Sequence, residues 1–418
     1  MVKYYGENWI NYSNHQEMVG LNKVINSYLY FKSDSFDSVN ALIKNNPNFL
    51  MAKFLKAFLM LLSRDTNKVS EVKRYLEDIK IPNSFDLKYS AFYSILIQWS
   101  NNNLIETNRQ LLILLQSDPK DILVFRLYHF NQIFLGIDNK FLDLHKFIMS
   151  KWNVNDEHYN LILGMTSFAL EENNEYAKAK KLALKSLELS NNDLWSWHAL
   201  LHVLDSTQDL QLGLDPFKNE INWNMYGPMK RHLWWHQILF YYYSGDYNNC
   251  LLMYDKLLLS DDFLYLDFCN ASSILIRLHL KGISVYKRSQ NLKRYTEYYI
   301  NQNSLLFIDY HLVIFCYYFD KIKLKYFESK EINLKYKKTN FFNNYIDVFK
   351  PFVKSLINNT NLDFKVLQNN FIEFGGSFAQ RELIFIHMLN ETKENFEYKK
   401  KLRNQITNKK NTIIKNYV

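Results

Sequence analysis

At 418 residues the chain has length for two or three ordinary domains, or for one continuous helical-repeat body. Apolar residues at 48% and aromatics at 17% allow a large core, while only 10 Gly and 6 Pro exclude the turn-rich chemistry of an all-β protein. The formal charge of +9 raises a nucleic-acid or membrane partner, but no nucleic-acid motif accompanies the late lysines.

The start, Met1 to Trp9, lacks the apolar core of a signal peptide. A short helix is expected over Ser35 to Asn45, and Pro47 opens a longer one over Phe49 to Leu62. Pro82 before Phe85 to Trp99 and Pro119 before Ile122 to Leu135 repeat that opening. The steps from 47 to 82 and 82 to 119 are 35 and 37 residues, and openings near Asn155 and Asn192 follow 36 and 37 residues on. A period this close to the ~34 of tetratricopeptide repeats, with two helices in each, predicts a stack of helical hairpins.

Within single repeats the small residues Ala179, Ala183 and Ser186 mark where a second helix must approach its first closely. Gly213 and Cys250 take that place in the next two repeats, and Trp234, eleven residues before Gly245, takes the place of the aromatic between helices. Past residue 282 the period blurs. Helices are expected at Tyr295 to Ile300, Ser304 to Phe319, Asn343 to Ile357, Leu362 to Phe374 and Phe378 to Asn390. Ser304 to Phe319 is the most membrane-like run, but it is shorter than the ~20 residues a span needs and carries Asp309 and His311.

The fold predicted is therefore all-α, a tetratricopeptide-like α-α hairpin solenoid over 1–282 with a less regular helical continuation over 283–395 and a basic tail over 396–418. Lys321 to Lys338 reads as a loop or solvated helix, the cations from Lys399 to Lys415 as a solvated face, and Asn408 to Val418 as a fraying end. Cys250, Cys269 and Cys316 are odd in number and scattered, which fits a reducing, cytoplasmic setting and no disulfide framework.

The candidate site lies between Asn192 and Asp255. His198, His202 and Asp205 are spaced i, i+4, i+7, one stripe of a helix, and His232 and His236 repeat the i, i+4 pair on the next repeat's first helix. Counting back from Gly213 and Cys250 puts both pairs on the concave face, so four imidazoles should converge. Such pairs can chelate Zn, Fe, Cu or Ni. A hydrogen-bonded polar cluster explains the same spacing, and no His-Glu-x-x-His decides between the two.

Glu171 and Glu172 end the first helix of the preceding repeat and could add a carboxylate. Asp309 and His311, at i, i+2, share a helix face poorly, which suits Asp309 better to capping that helix. His15, His145, His158, His279 and His387 have no partner at ligand spacing, and no nucleophile elbow, phosphate loop or dinucleotide glycine pattern occurs.

These residues resemble the tetratricopeptide repeat protein 38 family. The matching pieces, in order, are Asp193-x-Trp195-x-x-His198-x-x-x-His202, His232-x-x-Trp235-His236, Tyr254-Asp255, Asp267 with Arg277 and Gly282, Asp309-x-His311, and Gly375-Gly376-Ser377-x-Ala379-Gln380-Arg381. The resemblance runs from about Pro47 to Asn390. It implies this solenoid fold and an N-terminal region that diverges most, but no activity; His198, His202, His232, His236 and His311 all fall on family pattern positions. Where the family usually has Glu, this chain has the shorter Asp205.

Two functions are expected from these observations. In the first, the chain is an interaction or scaffold protein that takes a peptide, protein or small molecule in a groove shaped by the histidines, Trp195, Trp197, Trp234 and Trp235, with neither nucleic acid nor membrane as partner. In the second it is a metal-dependent enzyme, with zinc or iron on His198, His202, His232 and His236 and with Asp309, His311 or Glu172 as outer or acid–base groups.

Overall fold

The computed structural model describes residues 5–81, 86–218, 223–227, 229–258, 263–302, 305–329, 345–358, 374–391 and 400. Pro82, Phe85, Ser304, Lys335 to Lys338, the expected helix from Leu362 and nearly all of the basic tail lie outside these residues. Everything described is helix or connection, apart from one isolated bridge between Lys32 and Tyr226.

Seven first helices set the repeat: α3 (Leu50–Leu62), α5 (Leu87–Ser100), α7 (Ile122–Leu135), α9 (Tyr159–Glu172), α11 (Leu194–Ser206), α13 (Met229–Tyr243) and α15 (Tyr265–Leu280). Their starts are 37, 35, 37, 35, 35 and 36 residues apart. Each is followed by a second helix: α4 (Thr66–Glu77), α6 (Leu104–Ser117), α8 (Asn139–Met149), α10 (Tyr176–Leu189), the short α12 (Leu210–Leu214), α14 (Tyr247–Met253) and α16 (Tyr286–Ile300). Ahead of them stand α1 (His15–Leu29) and α2 (Ser35–Asn45), and behind them α17 (Leu306–Phe319), α18 (Lys321–Ser329) and the helices Lys350–Asn358 and Phe378–Glu391. The chain is an all-α helical solenoid.

The hairpin turns show why the period holds. Two residues past the end of α3, α5, α9, α11, α13 and α15, the backbone turns left-handed, at Arg64, Asn102, Asn174, Gln208, Gly245 and Gly282. In five of these turns the next N–H donates to a carbonyl five residues back, as from Asn103 to Gln98, Glu175 to Leu170 and Asp246 to Tyr241. This closure satisfies carbonyls that the helix end would otherwise leave bare. Many helices then open on a carboxylate or amide cap, among them Asp65, Asn103, Asp193 and Asp246, each accepting a backbone N–H of the first turn. Pro47 and Pro119 do not themselves start the helices: each lies in the preceding turn, three residues ahead of Leu50 and Ile122, and Asp121 caps α7 by accepting from the Val124 N–H at 3.0 Å.

By contact density the chain divides into two compact units, 1–132 with 222–229, and 133–221 with 230–418. In the first, α3 packs on α4 and α5, and α5 on α6. In the second, α9, α10 and α11 pack on one another, as do α15, α16 and α17, and the helix Phe378–Glu391 lies against α15 and α17.

The small positions are filled as their size requires. Ala179, Ala183 and Ser186 are wholly buried, and the Ser167 hydroxyl donates to the Ala179 carbonyl at 2.7 Å. A Cβ on Gly213 would strike the Phe240 ring. Tyr295 to Ile300 proves to be the end of the longer α16, and Lys321 begins a true helix rather than a loop. No helix among the described residues is long and apolar enough to cross a membrane. The three cysteines are buried as free thiols.

Candidate metal centre

The site belongs to the second unit and starts from α11. Asp193 caps this helix through the N–H groups of Trp195 and Ser196, which fixes the register of the following turns. One face then presents His198 and His202 a turn apart, and α13 presents His232 and His236 in the same way. The two pairs meet. Ring centroids lie 4.4 Å apart for His198 and His202, 4.6 Å for His202 and His236, and 4.9 Å for His198 and His232. One ring nitrogen from each of the four lies within 4.8 Å of all the others.

At the centre, Nε2 of His198 is 3.0 Å from Nε2 of His202 and 3.0 Å from Nε2 of His232. The outer nitrogens face acceptors. Nδ1 of His232 lies 3.2 Å from Oδ1 of Asn270 on α15, and Nδ1 of His202 lies 3.5 Å from a carboxylate oxygen of Glu171 at the end of α9. Burial pushes the His232 imidazole down to about 3, with the neighbouring His202 acting in the same direction and the Asn270 hydrogen bond opposing it. At neutral pH that ring is therefore neutral and keeps a lone pair to offer.

An aromatic jacket surrounds the rings. Phe168 stacks on His198 with centroids 5.5 Å apart, Trp195 lies 4.6 Å from His198, and Trp235 stacks on His232 at 5.1 Å. The Trp235 indole N–H donates to Ser273 at 2.8 Å, so its polar edge is satisfied. All four histidines are 4% exposed or less. They are sealed in packed side chains, whereas the concave-face reading has them open to solvent.

The other expected site residues lie around this cluster. Asp205 is buried on α11 but belongs to neither group of converging donor atoms. Asp309 and His311 are buried on α17 and belong to neither group. His311 uses Nδ1 on the Phe307 carbonyl of its own helix at 2.8 Å. Asp309 does not cap α17: the cap position is Leu305, and Asp309 already lies inside the first turn.

Glu172 joins Glu171 and His202 in a second group of converging atoms. It accepts the Phe378 backbone N–H at 2.9 Å and lies 3.5 Å from the Arg381 guanidinium.

Asn270, Ser206 and Arg381 complete the surroundings without having been singled out for the site by sequence. Asn270 carried a usable signal: it follows His232 by 38 residues, as Ser273 follows Trp235, one repeat further along. Three positions of the resemblance are also engaged in buried ion pairs: Asp267 with Arg231 through two contacts of 2.9 Å, Arg277 with Glu382 at 3.1 Å, and Arg381 with Glu172. Compared with known proteins, the chain matches no family model and no solved structure.

Proposed function

We propose that the chain is a helical-repeat protein that holds one transition-metal ion on His198, His202, His232 and His236. One observation carries this reading: a shortage of hydrogens at the centre of the cluster. With Asn270 accepting on the outside, neutral His232 keeps its hydrogen on Nδ1 and turns its Nε2 lone pair toward His198, and Glu171, 3.5 Å from Nδ1 of His202, favours the same tautomer there. The single ring hydrogen of His198 must then serve two contacts of 3.0 Å. A cation among the nitrogens relieves that repulsion for every ring at once.

The donor set also selects the ion. Neutral imidazole suits zinc, iron, copper and nickel, while magnesium and calcium prefer oxygen. With bonds of ~2.0–2.1 Å, a tetrahedral ion needs nitrogens about 3.3 Å apart. The two 3.0 Å contacts require an opening of only a few tenths of an ångström. Four protein ligands would make such a centre closed, as structural sites are. The resemblance to the tetratricopeptide repeat protein 38 family supports the repeat architecture around it.

A second reading keeps the interaction or scaffold role and gives the histidines a packing task. It is favoured by their complete burial under Phe168, Trp195 and Trp235. Metal analysis of the full chain purified without a histidine tag separates the two. About one equivalent of ion, lost in the His202→Ala/His236→Ala double variant, is the expected result. Metal-free wild-type protein that takes up neither zinc nor cobalt overturns the metal reading.

A further inference from the structure

Glu171 is the last residue but one of α9 and only 1% exposed. One carboxylate oxygen accepts the Ser206 hydroxyl at 2.7 Å, and the other lies 3.5 Å from Nδ1 of His202. Its neighbour Glu172 is tied to the Phe378 N–H and to Arg381, which in turn donates to the Gly376 carbonyl. The end of α9 is thus anchored to α11 through Ser206 and to Phe378 and Arg381 through Glu172.

Glu171, Glu172 and His202 also meet the spacing of a cation site in their own right. The Arg381 guanidinium argues against that use. It already stands 3.5 Å from Glu172, where a divalent ion would face a positive charge at contact range.

We infer that Glu171 is a positioning residue for the centre: it holds the hydrogen of His202 on Nδ1, turns the Nε2 lone pair toward the ion and strengthens that imidazole as a ligand. The inference rests on the four-histidine metal reading. A carboxylate fits this task because it accepts from Nδ1–H without offering a competing hydrogen. Its second oxygen is fixed by Ser206, so the first stays aimed at the ring.

The experiment uses Co(II) on the full, untagged chain, with affinity read by chelator competition and ligand geometry by visible absorption. Glu171→Gln keeps the shape and removes the charge. It should weaken cobalt binding roughly 10–100-fold and change the absorption band. Glu171→Asp should recover part of the loss.

An unchanged affinity and band in Glu171→Gln overturns the inference while leaving the metal reading intact. So does a variant that only melts earlier when metal-free. Wild-type protein that takes up no cobalt overturns both. If Glu171→Gln does not fold, Ser206→Ala carries the test. Freeing the carboxylate should weaken cobalt several-fold, and wild-type affinity there counts against the role of Glu171.

Discussion

The guanidinium of Arg277 lies 3.1 Å from the carboxylate of Glu382, and neither side chain has any exposed surface. The same carboxylate accepts the Tyr243 hydroxyl, so α13, α15 and the helix Phe378–Glu391 are joined at one buried point. Removing one partner of such a pair strands the other charge in a medium that cannot solvate it. Arg277→Ala should cost roughly 3–5 kcal/mol, while Arg277→Met with Glu382→Leu should recover much of that. Denaturant midpoints of the three proteins check this, and an Arg277→Ala midpoint equal to wild type contradicts it.

On the four-histidine metal reading, ion removal should be visible in thermal stability. A ligand at 100 times its dissociation constant adds about 2.7 kcal/mol to a fold that alone can bind it. Wild-type protein stripped by a chelator should melt lower than the zinc-loaded form. The His202→Ala/His236→Ala variant should melt at one temperature whether or not zinc is added. Calorimetry of both proteins with and without zinc is the measurement.

Acid should destabilise the fold well above the carboxylate range. His145 is completely buried, donates from Nδ1 to the Phe141 carbonyl at 2.7 Å, and is pushed down to about 3 by its burial. Its unfolded value is ~6.5, so the unfolded chain binds the proton that the folded chain refuses. The stability this neutral ring lends is fully present above pH ~6.5 and is lost as pH falls toward 3, by up to about 1.4 kcal/mol per pH unit. His145→Gln should flatten the pH dependence of the urea midpoint between 6.5 and 4. An identical slope in that variant rules out the assignment.

Two glycines with the same backbone angle should respond differently to alanine. Gly375 and Gly245 both have φ +77°, but a Cβ on Gly375 would strike the Phe134 carbonyl, while Gly245 has nothing within 4 Å. Gly245→Ala should cost about 1 kcal/mol from the left-handed backbone alone. Gly375→Ala should cost roughly 1–3 kcal/mol more, because backbone must move to admit the methyl group. Equal losses in a denaturant titration would remove the steric part of the argument.

Helices with apolar stripes were legible in the sequence almost to the residue, as with Ile122–Leu135 and Ser35–Asn45. Most of α16 was not. Its buried positions include Ser289, Leu292, Thr296 and Tyr299, which keep the helical spacing, but two are hydroxyl residues that bond carbonyls of their own helix and so hide the stripe. The convergence of the four imidazoles could be read from spacing because i, i+4 geometry is local. Their enclosure could not, since it depends on Phe168, Trp195 and Trp235 closing over them from three different helices. Glu171 and Glu172 look alike in sequence. Only the arrival of Arg381, over two hundred residues later, sends one toward the ion pair and leaves the other beside His202.

The recurring left-handed turn gives six of the seven hairpins a local latch of their own, so order can begin at several points along the chain and spread to neighbours. The histidine centre follows a different logic. Glu171, the first imidazole pair, the second pair and Asn270 come from four successive first helices, and no one hairpin owns enough of them to bind anything. The convergence of these side chains is therefore a late event in assembly, and a bound ion, on the metal reading, would report that these consecutive repeats have docked in register.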